Sequence, residues 1–328
     1  MEALMTTRRG VLSGVAALPL LTRESRAQPT AWKPSRPVRL VVPFAPGGLT
    51  DILARQAAEA LTPRLGQTVV VENRGGAGGN LAAEAVARSA PDGHALLVGT
   101  QGILAINKAL YARLSYDPDT DFVPLGMLAQ QPNLLVARAG GFVSLTEALA
   151  AAKGRSGGLS YGSNGAGSFT HLSMELLRSL TGAEMTHVPY RGSAPMLTDL
   201  VAGNLDIAFD ALGTSLPQVR AGALRALAVS SAARSPLLPE VPSVAETVPG
   251  FDATPWYGVF AAAATPPDIL AALEAAMQAV LTEAAWGRIL SERQADPLPG
   301  DRTALTSRIA REREVWREVV RRTGVRAD

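Results

Sequence analysis

The sequence predicts an α/β protein of two lobes, each built around a doubly wound, mostly parallel sheet. Runs of β-branched and apolar residues alternate with alanine-rich stretches along most of the chain, which is typical of βαβ units. The 328 residues, 47% of them hydrophobic, suffice for two separate cores. An interruption at Gln131–Pro132 divides the alternation into two series, one for each lobe.

The first 27 residues have the composition of an export signal. Paired arginines at Arg8–Arg9 precede an uncharged apolar run at 10–21, and Ser25 and Ala27 give the small-x-small pattern of a cleavage site. The run is too short to span a bilayer. The paired arginines favour a twin-arginine signal over an ordinary secretory signal. Both alternatives predict export, and we expect the mature protein in the periplasm.

Composition excludes several classes of function. The chain has no cysteine, which removes disulfides and thiol chemistry. Without residues 1–27 it carries 27 basic and 27 acidic side chains, so nothing in its net charge favours nucleic acid or an acidic membrane. The glycines at 75–79 depart from the dinucleotide-binding spacing, and no histidine or carboxylate cluster has metal-ligand spacing. We therefore expect no cofactor, no metal, no nucleic-acid partner and no embedding in a membrane.

The first series begins with a buried strand, a Pro- and Gly-rich turn, and a helix that ends at Gly66. The predicted strands are 38–42, 68–74 and 94–100, and the predicted helices are 50–65 and 80–90, the second capped by Asn80. The second series repeats this order, with strands at 159–163, 185–190 and 205–211 and helices at 169–180 and 194–203. The strand at 224–231 is interpreted as the return crossing, 254–264 as a possible third crossing, and two helices follow at 267–284 and 302–314. The first lobe is thus assigned residues 36–130 and 230–328, and the second 131–229.

Two Gly-rich turns between a strand and a helix are the candidate binding elements. Such a turn leaves backbone N–H groups pointing at an anion, and the helix dipole adds roughly half a positive charge. The candidates at the first turn are Gly47, Gly48 and Asp51, and those at the second are Ser163, Asn164, Ser168 and Thr170. The same side chains also fit purely structural roles, Asp51 in the first turn of its helix and Ser168 or Thr170 as a cap.

Residues at the ends of predicted strands extend the candidate site. Tyr190, Arg191 and Asp210 follow strands of the second series, and ligands of open α/β sheets bind outside such ends. Arg191 also fits a role as the partner of a local carboxylate, and Trp256 with Tyr257 fits packing at a hinge or against a ligand. Another class of function, a cleft hydrolase or lyase, would use His171 with Asp210. We favour a binding protein over an enzyme because no nucleophile elbow occurs.

Five blocks of the sequence together resemble a known family, the periplasmic substrate-binding proteins of tripartite tricarboxylate transporters, of the Bordetella uptake gene (Bug) type. The blocks are RPVRLVVPFAPGGLTDILAR, VVVENRGGAGGN, PDGHALLVGT, THVPYRGSAPMLTDLVAGNLDIAFD and TPWYGVFA, and the resemblance extends from about Arg36 to the C-terminus. It implies a two-lobed Venus-flytrap fold that closes on a small organic carboxylate, with no cofactor. It also implies membrane permease subunits as partners, and we expect a monomer.

The resemblance also implies site residues. The family's first clamp corresponds to 44–51, which adds Phe44 and Ala45 to the candidates, and its strand-end motif adds Thr100 and Gln101. Its second loop and strand-end Asp correspond to 163–170 and Asp210. The chain departs from the family's wording at Ala45, where a second proline is common, and at 103–107, which is more apolar here. This favours an aromatic or otherwise weakly hydrated carboxylate over citrate.

Overall fold

The computed structural model of the protein describes residues 32–327, so the export signal expected at 1–27 lies outside the described residues. Two five-stranded sheets form its framework. The strands are β1 (Val38–Val42), β2 (Val69–Asn73), β3 (Ala95–Thr100), β4 (Phe122–Gln130), β5 (Asn133–Arg138), β6 (Leu159–Ser163), β7 (Met185–Pro189), β8 (Ile207–Ala211), β9 (Leu224–Val229) and β10 (Trp256–Ala262).

Helices connect and cover these strands. They are α1 (Leu49–Leu65), α2 (Asn80–Ala87), α3 (Asn107–Leu110), α4 (Leu145–Gly154), α5 (Phe169–Thr181), α6 (Ser193–Ala202), α7 (Leu212–Arg220), α8 (Val244–Thr247), α9 (Pro267–Leu281), α10 (Ala284–Glu292) and α11 (Arg302–Thr323). A π-helical turn, Gly102–Ile106, joins β3 to α3. Among the described helices none alone has the length and apolarity of a membrane span, although α9 and α10 meet that standard as a pair bent by 65°.

The two sheets have the same plan. The first has the order β2-β1-β3-β10-β4 and the second β7-β6-β8-β5-β9. In each, three strands pair in parallel, and one inserted strand, β10 or β5, runs antiparallel to both of its neighbours. The fold is therefore two mostly parallel α/β lobes, as the sequence predicts, and we call them the first and second lobe.

Each inserted strand follows a passage between the lobes. The chain leaves the first lobe between β4 and β5, at Gln131–Pro132, and it is back in the first sheet at β10. The segment expected as a possible third crossing, 254–264, therefore contains the strand that re-enters the first sheet. Val244, Val248 and Phe251 pack in a cluster with residues of the second sheet. This packing favours a boundary near Pro255 rather than 229, and the boundaries themselves remain a prediction.

The central strands of both sheets are buried on both faces, whereas the edge strands β2 and β7 are only partly buried. In β1, Val38, Leu40 and Val42 pack with α1 and α9, whereas Val41 packs with α2 and the start of α11. In β5 the alternate residues likewise enter different clusters. This two-sided burial explains why the strands have continuous apolar sequences rather than an alternating pattern.

Two local predictions need correction. Asn80 does not cap α2: Gly79 is the N-cap, while the Asn80 side chain accepts hydrogen bonds from Asn107 and Tyr116. The amide is drawn into the core because these buried donors need an acceptor. The C-terminal region has three helices instead of two, because α9 ends at Leu281 and α10 begins three residues later.

Candidate functional site

The first candidate turn joins β1 to α1 and ends in an open helix N-terminus. Gly48 is the N-cap, and no side chain caps the helix. Within residues 32–327 no acceptor faces the backbone N–H groups of Leu49, Thr50 or Asp51. Gly47 has φ +93°, which an L side chain rarely adopts, whereas Gly48 is in an ordinary extended conformation with open space beside it. The turn thus offers donors and room to an anion.

Asp51 holds this turn in shape with both of its oxygens. Oδ2 accepts from the Gly47 N–H at 3.0 Å and from Arg55 Nε at 2.9 Å, while Oδ1 accepts from Arg55 and from Asn73 Nδ2, each at 2.9 Å. Asn73 also donates to the Phe44 carbonyl. The Arg55 guanidinium lowers the pKa of Asp51 to about 2, with the Gly47 and Asn73 hydrogen bonds assisting. These partners occupy the carboxylate, so it supports the turn.

The second candidate turn joins β6 to α5 and uses most of its own donors. Ser168 is the N-cap of α5 and accepts from the His171 N–H. This confirms the capping role that the sequence offered for Ser168 or Thr170. The Asn164 N–H donates to Thr170 Oγ1, and the Gly165 N–H donates to Ser163 Oγ. Among the described residues, the backbone N–H groups that face no acceptor here are those of Ala166, Phe169 and Thr170. The Ser168 and Thr170 hydroxyls lie 3.1 Å apart, and one of them donates to the other. The second hydroxyl therefore keeps a proton that it can donate to a ligand.

Two histidines support the second turn from beneath. The Gly167 N–H donates to His171 Nδ1 at 3.0 Å, and Ser163 Oγ lies 2.7 Å from His187 Nε2. The two imidazole rings stack with centroids 3.8 Å apart. Burial lowers the pKa of His171, and burial together with His171 lowers the pKa of His187 to about 4. Both rings are therefore neutral at neutral pH.

A cavity of about 430 Å³ lies between the lobes and brings these elements together. Its first-lobe wall comes from the β3 end, the π-helical turn and α3; its second-lobe wall comes from the α5 N-terminus, and the start of β10 closes a third side. The lining residues are Phe44, Gly78, Thr100, Gln101, Gly102, Ile106, Asn107, Leu110, Tyr111, Ala166, Gly167, Ser168, Phe169, Leu172, Pro255, Trp256, Tyr257 and Ala327. None of these described lining residues is a lysine or an arginine.

A buried acid fixes two residues of the cavity wall. Glu312 of α11 accepts from Gln101 Nε2 and from Trp256 Nε1, each at 2.7 Å, through the same oxygen. Its other oxygen accepts from Arg308 Nε. Burial raises the pKa of Glu312 despite these donors. Nothing in the sequence pattern indicated Glu312, because its partners lie 211 and 56 residues away.

The chain can now be compared with known proteins. Residues 53–325 match the model of the tripartite tricarboxylate transporter family receptor. The chain belongs to this receptor family. BugT of Bordetella pertussis is 37% identical over 296 residues, which is 89% of this chain and 91% of BugT.

Two solved structures resemble this receptor closely. Rpa4515 of R. palustris, solved with adipate, is 40% identical, with a TM-score of 0.73 over 89% of this chain and 99% of that one. MatC of Rhodopseudomonas palustris, solved with bound malate, is 36% identical, with a TM-score of 0.70 over 88% of this chain and 99% of that one. The family and the two-lobed fold expected from the sequence are thereby confirmed.

The receptor brings together only part of the residue set expected from the sequence. Phe44, Thr100, Gln101 and Ser168 line the cavity, whereas the other candidates do not. Ala45, Gly47, Gly48 and Asp51 form the first turn beside Phe44, and Ser163, Asn164 and Thr170 shape the second turn. Sequence reasoning missed the apolar wall, namely Ile106, Leu110, Tyr111, Phe169 and Leu172. Of the segment 103–107, Ile106 and Asn107 line the cavity, while Ile103 and Leu104 pack in the first-lobe core.

The strand-end candidates of the second lobe lie outside the cavity. The Tyr190 hydroxyl donates to Asp199 at 2.7 Å, and Arg191 is exposed. Asp210 is fully buried and accepts from Ser193 and Thr214, the first turns of α6 and α7. Burial raises its pKa, although these two donors counteract the shift. Asp210 therefore ties two helix starts to the end of β8.

The pair invoked for a hydrolase or lyase does not meet. His171 Nδ1 accepts from Gly167, its ring stacks on His187, and within the described residues no hydrogen bond joins it to Asp210. Ser168 Oγ contacts the backbone N–H of His171 rather than its ring. For His171, the described residues therefore provide neither a contact between its ring and a nucleophile nor the orienting carboxylate that acyl transfer requires.

Proposed function

We propose that this receptor captures a small organic carboxylate with an apolar body in the cavity between its lobes. One observation carries the proposal: the N-terminus of α5, where the Phe169 and Thr170 N–H groups face no acceptor, meets an aromatic wall across the cavity. None of the described residues that line this cavity has a cationic side chain. A carboxylate binds there through the Ala166 and Phe169 N–H groups and the Ser168 hydroxyl. The helix dipole favours its negative charge.

The side chains that line the cavity determine which class of ligand fits it. Beyond Thr100, Gln101 and Ser168, most of the cavity surface belongs to aromatic and aliphatic side chains. A ligand hydroxyl placed against them loses its hydrogen bonds to water, at about 1–3 kcal/mol for each unpaired group. An aromatic ring or methylene chain gains from the same contact. Benzoate-like or adipate-like acids therefore fit better than citrate, and the relative solved with adipate is consistent with this class.

Lobe closure completes the site in this proposal. The α1 N-terminus has uncommitted N–H groups but lies beside the cavity, with Phe44 between them. A ligand held at α5 draws the first turn towards it and stabilises the closed form by contacting both lobes. In the same way Tyr190, Arg191 and Asp210 remain candidates for closed-state contacts. Delivery to membrane permease subunits, a periplasmic location and a monomeric state belong to the proposal.

The test is a ligand screen with named acids. Native mass spectrometry of the protein as purified would reveal a retained carboxylate, and calorimetry would give affinities for benzoate, adipate, malate and citrate. We expect benzoate or adipate to bind most tightly, and to stabilise the protein by about 2.7 kcal/mol at a hundredfold excess over Kd. Tightest binding of citrate would refute the role of the apolar wall. Absence of binding by all four acids, or recovery of a chemically altered ligand, would refute carboxylate capture.

A further inference from the structure

We propose that His171 is a positioning residue of the second turn, with His187 as its stacking partner, and that it makes ligand capture depend on pH. The turn keeps its shape only while the His171 ring is uncharged. Only the ligand part of this inference rests on the proposed function. The coupling between the ring and the turn is a property of the unliganded protein.

The hydrogen bonds fix which nitrogen of each ring carries a proton. His171 Nδ1 accepts from the Gly167 N–H, so the neutral ring has its proton on Nε2. Ser163 Oγ has one proton and donates it to the Gly165 carbonyl at 3.0 Å. We assign His187 Nε2 as the donor to Ser163 Oγ across their 2.7 Å separation, because this tautomer lets the Ser163 hydroxyl satisfy both contacts. The two rings therefore support opposite ends of the turn, one as an acceptor and one as a donor.

A proton added to His171 removes this support. It would occupy Nδ1 and face the Gly167 N–H at 3.0 Å, and two donors cannot share that contact. Protonation of His187 leaves its Nε2 donor in place, but places a charge 3.8 Å from the His171 ring centre. Like charges at that distance disfavour each other, so the pair takes up one proton before two. The acid-sensitive contact is therefore the one between His171 and Gly167.

Among the described residues around the two rings, no unpaired carboxylate is present to compensate for a charge. Tyr161 of β6 stacks on His187, with ring centroids 5.0 Å apart, and donates its hydroxyl to Glu175 of α5. Arg178 Nη1 donates to the same Glu175 oxygen at 2.6 Å. Glu175 and Arg178 are the charged groups acting on both rings, and their effects oppose one another. From β8 and α11, which also contact α5, the neighbouring core residues are Phe209 and Trp316, both apolar. The charged residues there have other partners: Arg322 of α11 donates to Ser179 and pairs with Glu318, and Asp210 of β8 accepts from Ser193 and Thr214.

Movement of Gly167 changes the binding surface directly. Gly167 lines the cavity and precedes Ser168, the N-cap whose hydroxyl is offered to the ligand. A carboxylate bound nearby attracts a protonated ring and opposes the loss of binding. The lost hydrogen bond acts on the position of the turn itself, and we infer that this effect prevails. Affinity is then highest at neutral pH and falls on acidification.

The first experiment follows the unliganded protein by nuclear magnetic resonance. Imidazole and amide spectra are recorded between about pH 8 and pH 5, above the ordinary pKa of carboxylates. We expect the Gly167 amide signal to shift with the same midpoint as the His171 ring, and this shift to vanish in His171→Asn. The Asn side-chain oxygen replaces Nδ1 as an acceptor but takes no proton. A Gly167 signal that does not move while His171 titrates would overturn the coupling.

The second experiment measures adipate affinity over the same pH range. Below the pKa of His171, the wild-type Kd is expected to rise about tenfold more per pH unit than that of His171→Asn, in which only the titration of adipate itself remains. His171→Leu, which lacks the acceptor, should bind weakly at every pH, and His94→Asn in the first lobe should behave as wild type. Wild-type pH dependence retained in His171→Asn, or affinity that rises on acidification, would overturn the proposal. If adipate binds at no pH, the proposed ligand class fails, and the amide titration still decides the coupling.

Discussion

The two turns beside the cavity present the same backbone device but support it differently. Both place a helix N-terminus after a buried parallel strand; no side chain caps α1, whereas Ser168 caps α5. The first is held by an ionised carboxylate, Asp51, bound to Arg55 and Asn73. The second is held by neutral groups, Ser163 and Thr170 together with two stacked histidines. The two turns therefore present similar backbone N–H groups, although different side chains hold each turn in place.

This difference gives the two turns different tolerance to acid. Asp51 keeps its charge down to a pH of about 2, so the first turn is unaffected over the range in which histidines titrate. The second turn depends on two rings whose pKa values burial lowers below 6.5, that of His187 to about 4. We therefore expect the first turn to keep its support, and the second turn to lose its support, when the histidines take up protons.

The largest effect is expected from removing the charged support of the first turn. Asp51→Ala leaves the Gly47 N–H, Asn73 and Arg55 without their acceptor, and Asp51 itself is only 3% exposed. We expect a loss of about 2–4 kcal/mol in the free energy of unfolding, measured by urea denaturation. Glu314→Ala, which breaks an exposed ion pair with Arg317, is the control and should cost under about 0.5 kcal/mol. Equal losses in the two variants would show that Asp51 does not hold the turn.

A second change tests whether the first turn touches the ligand at all. Gly48→Val places a side chain in the open space beside the α1 N-terminus without straining the backbone. We expect adipate affinity to fall at least about tenfold, which is about 1.4 kcal/mol, with the free energy of unfolding unchanged. Gly140→Val, in an exposed turn that also has open space, is the matched control. Unaltered affinity in a folded Gly48→Val protein would remove the first turn from the site.

The pH dependence of stability separates the two supports. The pKa values of His171 and His187 are lower in the folded state than in the unfolded state. Their contribution to the free energy of unfolding is therefore complete above about pH 6.5 and is lost as pH falls towards about 4. The pKa of Asp51 is also lowered by folding. Its contribution to the free energy of unfolding is complete above the unfolded pKa of 3.8 and is lost as pH falls towards about 2. Urea denaturation should therefore show two acid losses, the first about 1–2 kcal/mol. His171→Asn should diminish the first loss and leave the second; a first loss of wild-type size would contradict the assignment.

The sequence predicted what depends on neighbours along the chain. Strand, glycine turn and helix N-terminus are local, so both turns and the Ser168 cap were predictable from residue order. The contacts that decide the chemistry are not local. His187 reaches Ser163 from the adjacent strand, 24 residues away, and Glu312 reaches Gln101 from the last helix. No periodicity encodes such pairs, because they depend on how sheets and helices pack.

A related physical reason explains why most of the predicted site residues lie outside the cavity wall, and their role in binding stays a prediction. Polar residues at turns and strand ends were selected as ligands, yet many of them are occupied by one another: Asp210 binds Ser193 and Thr214, and Tyr190 binds Asp199. Buried polar groups must be satisfied within the fold before a ligand arrives. The apolar wall was missed because Leu110 and Phe169 look like ordinary core residues in the sequence.

The smallest effect concerns this apolar wall at its link with the first turn. Phe44 lines the cavity, yet it is 40% exposed and its side chain supports no core cluster of the described residues. Phe44→Ala should therefore leave the free energy of unfolding nearly unchanged and weaken benzoate binding by about 1 kcal/mol, or roughly fivefold, in calorimetry. Leu81→Ala, at a 51% exposed residue outside the cavity, is the matched control. If Phe44→Ala lowers malate affinity as much as benzoate affinity, the ring shapes the turn and does not select for an apolar ligand.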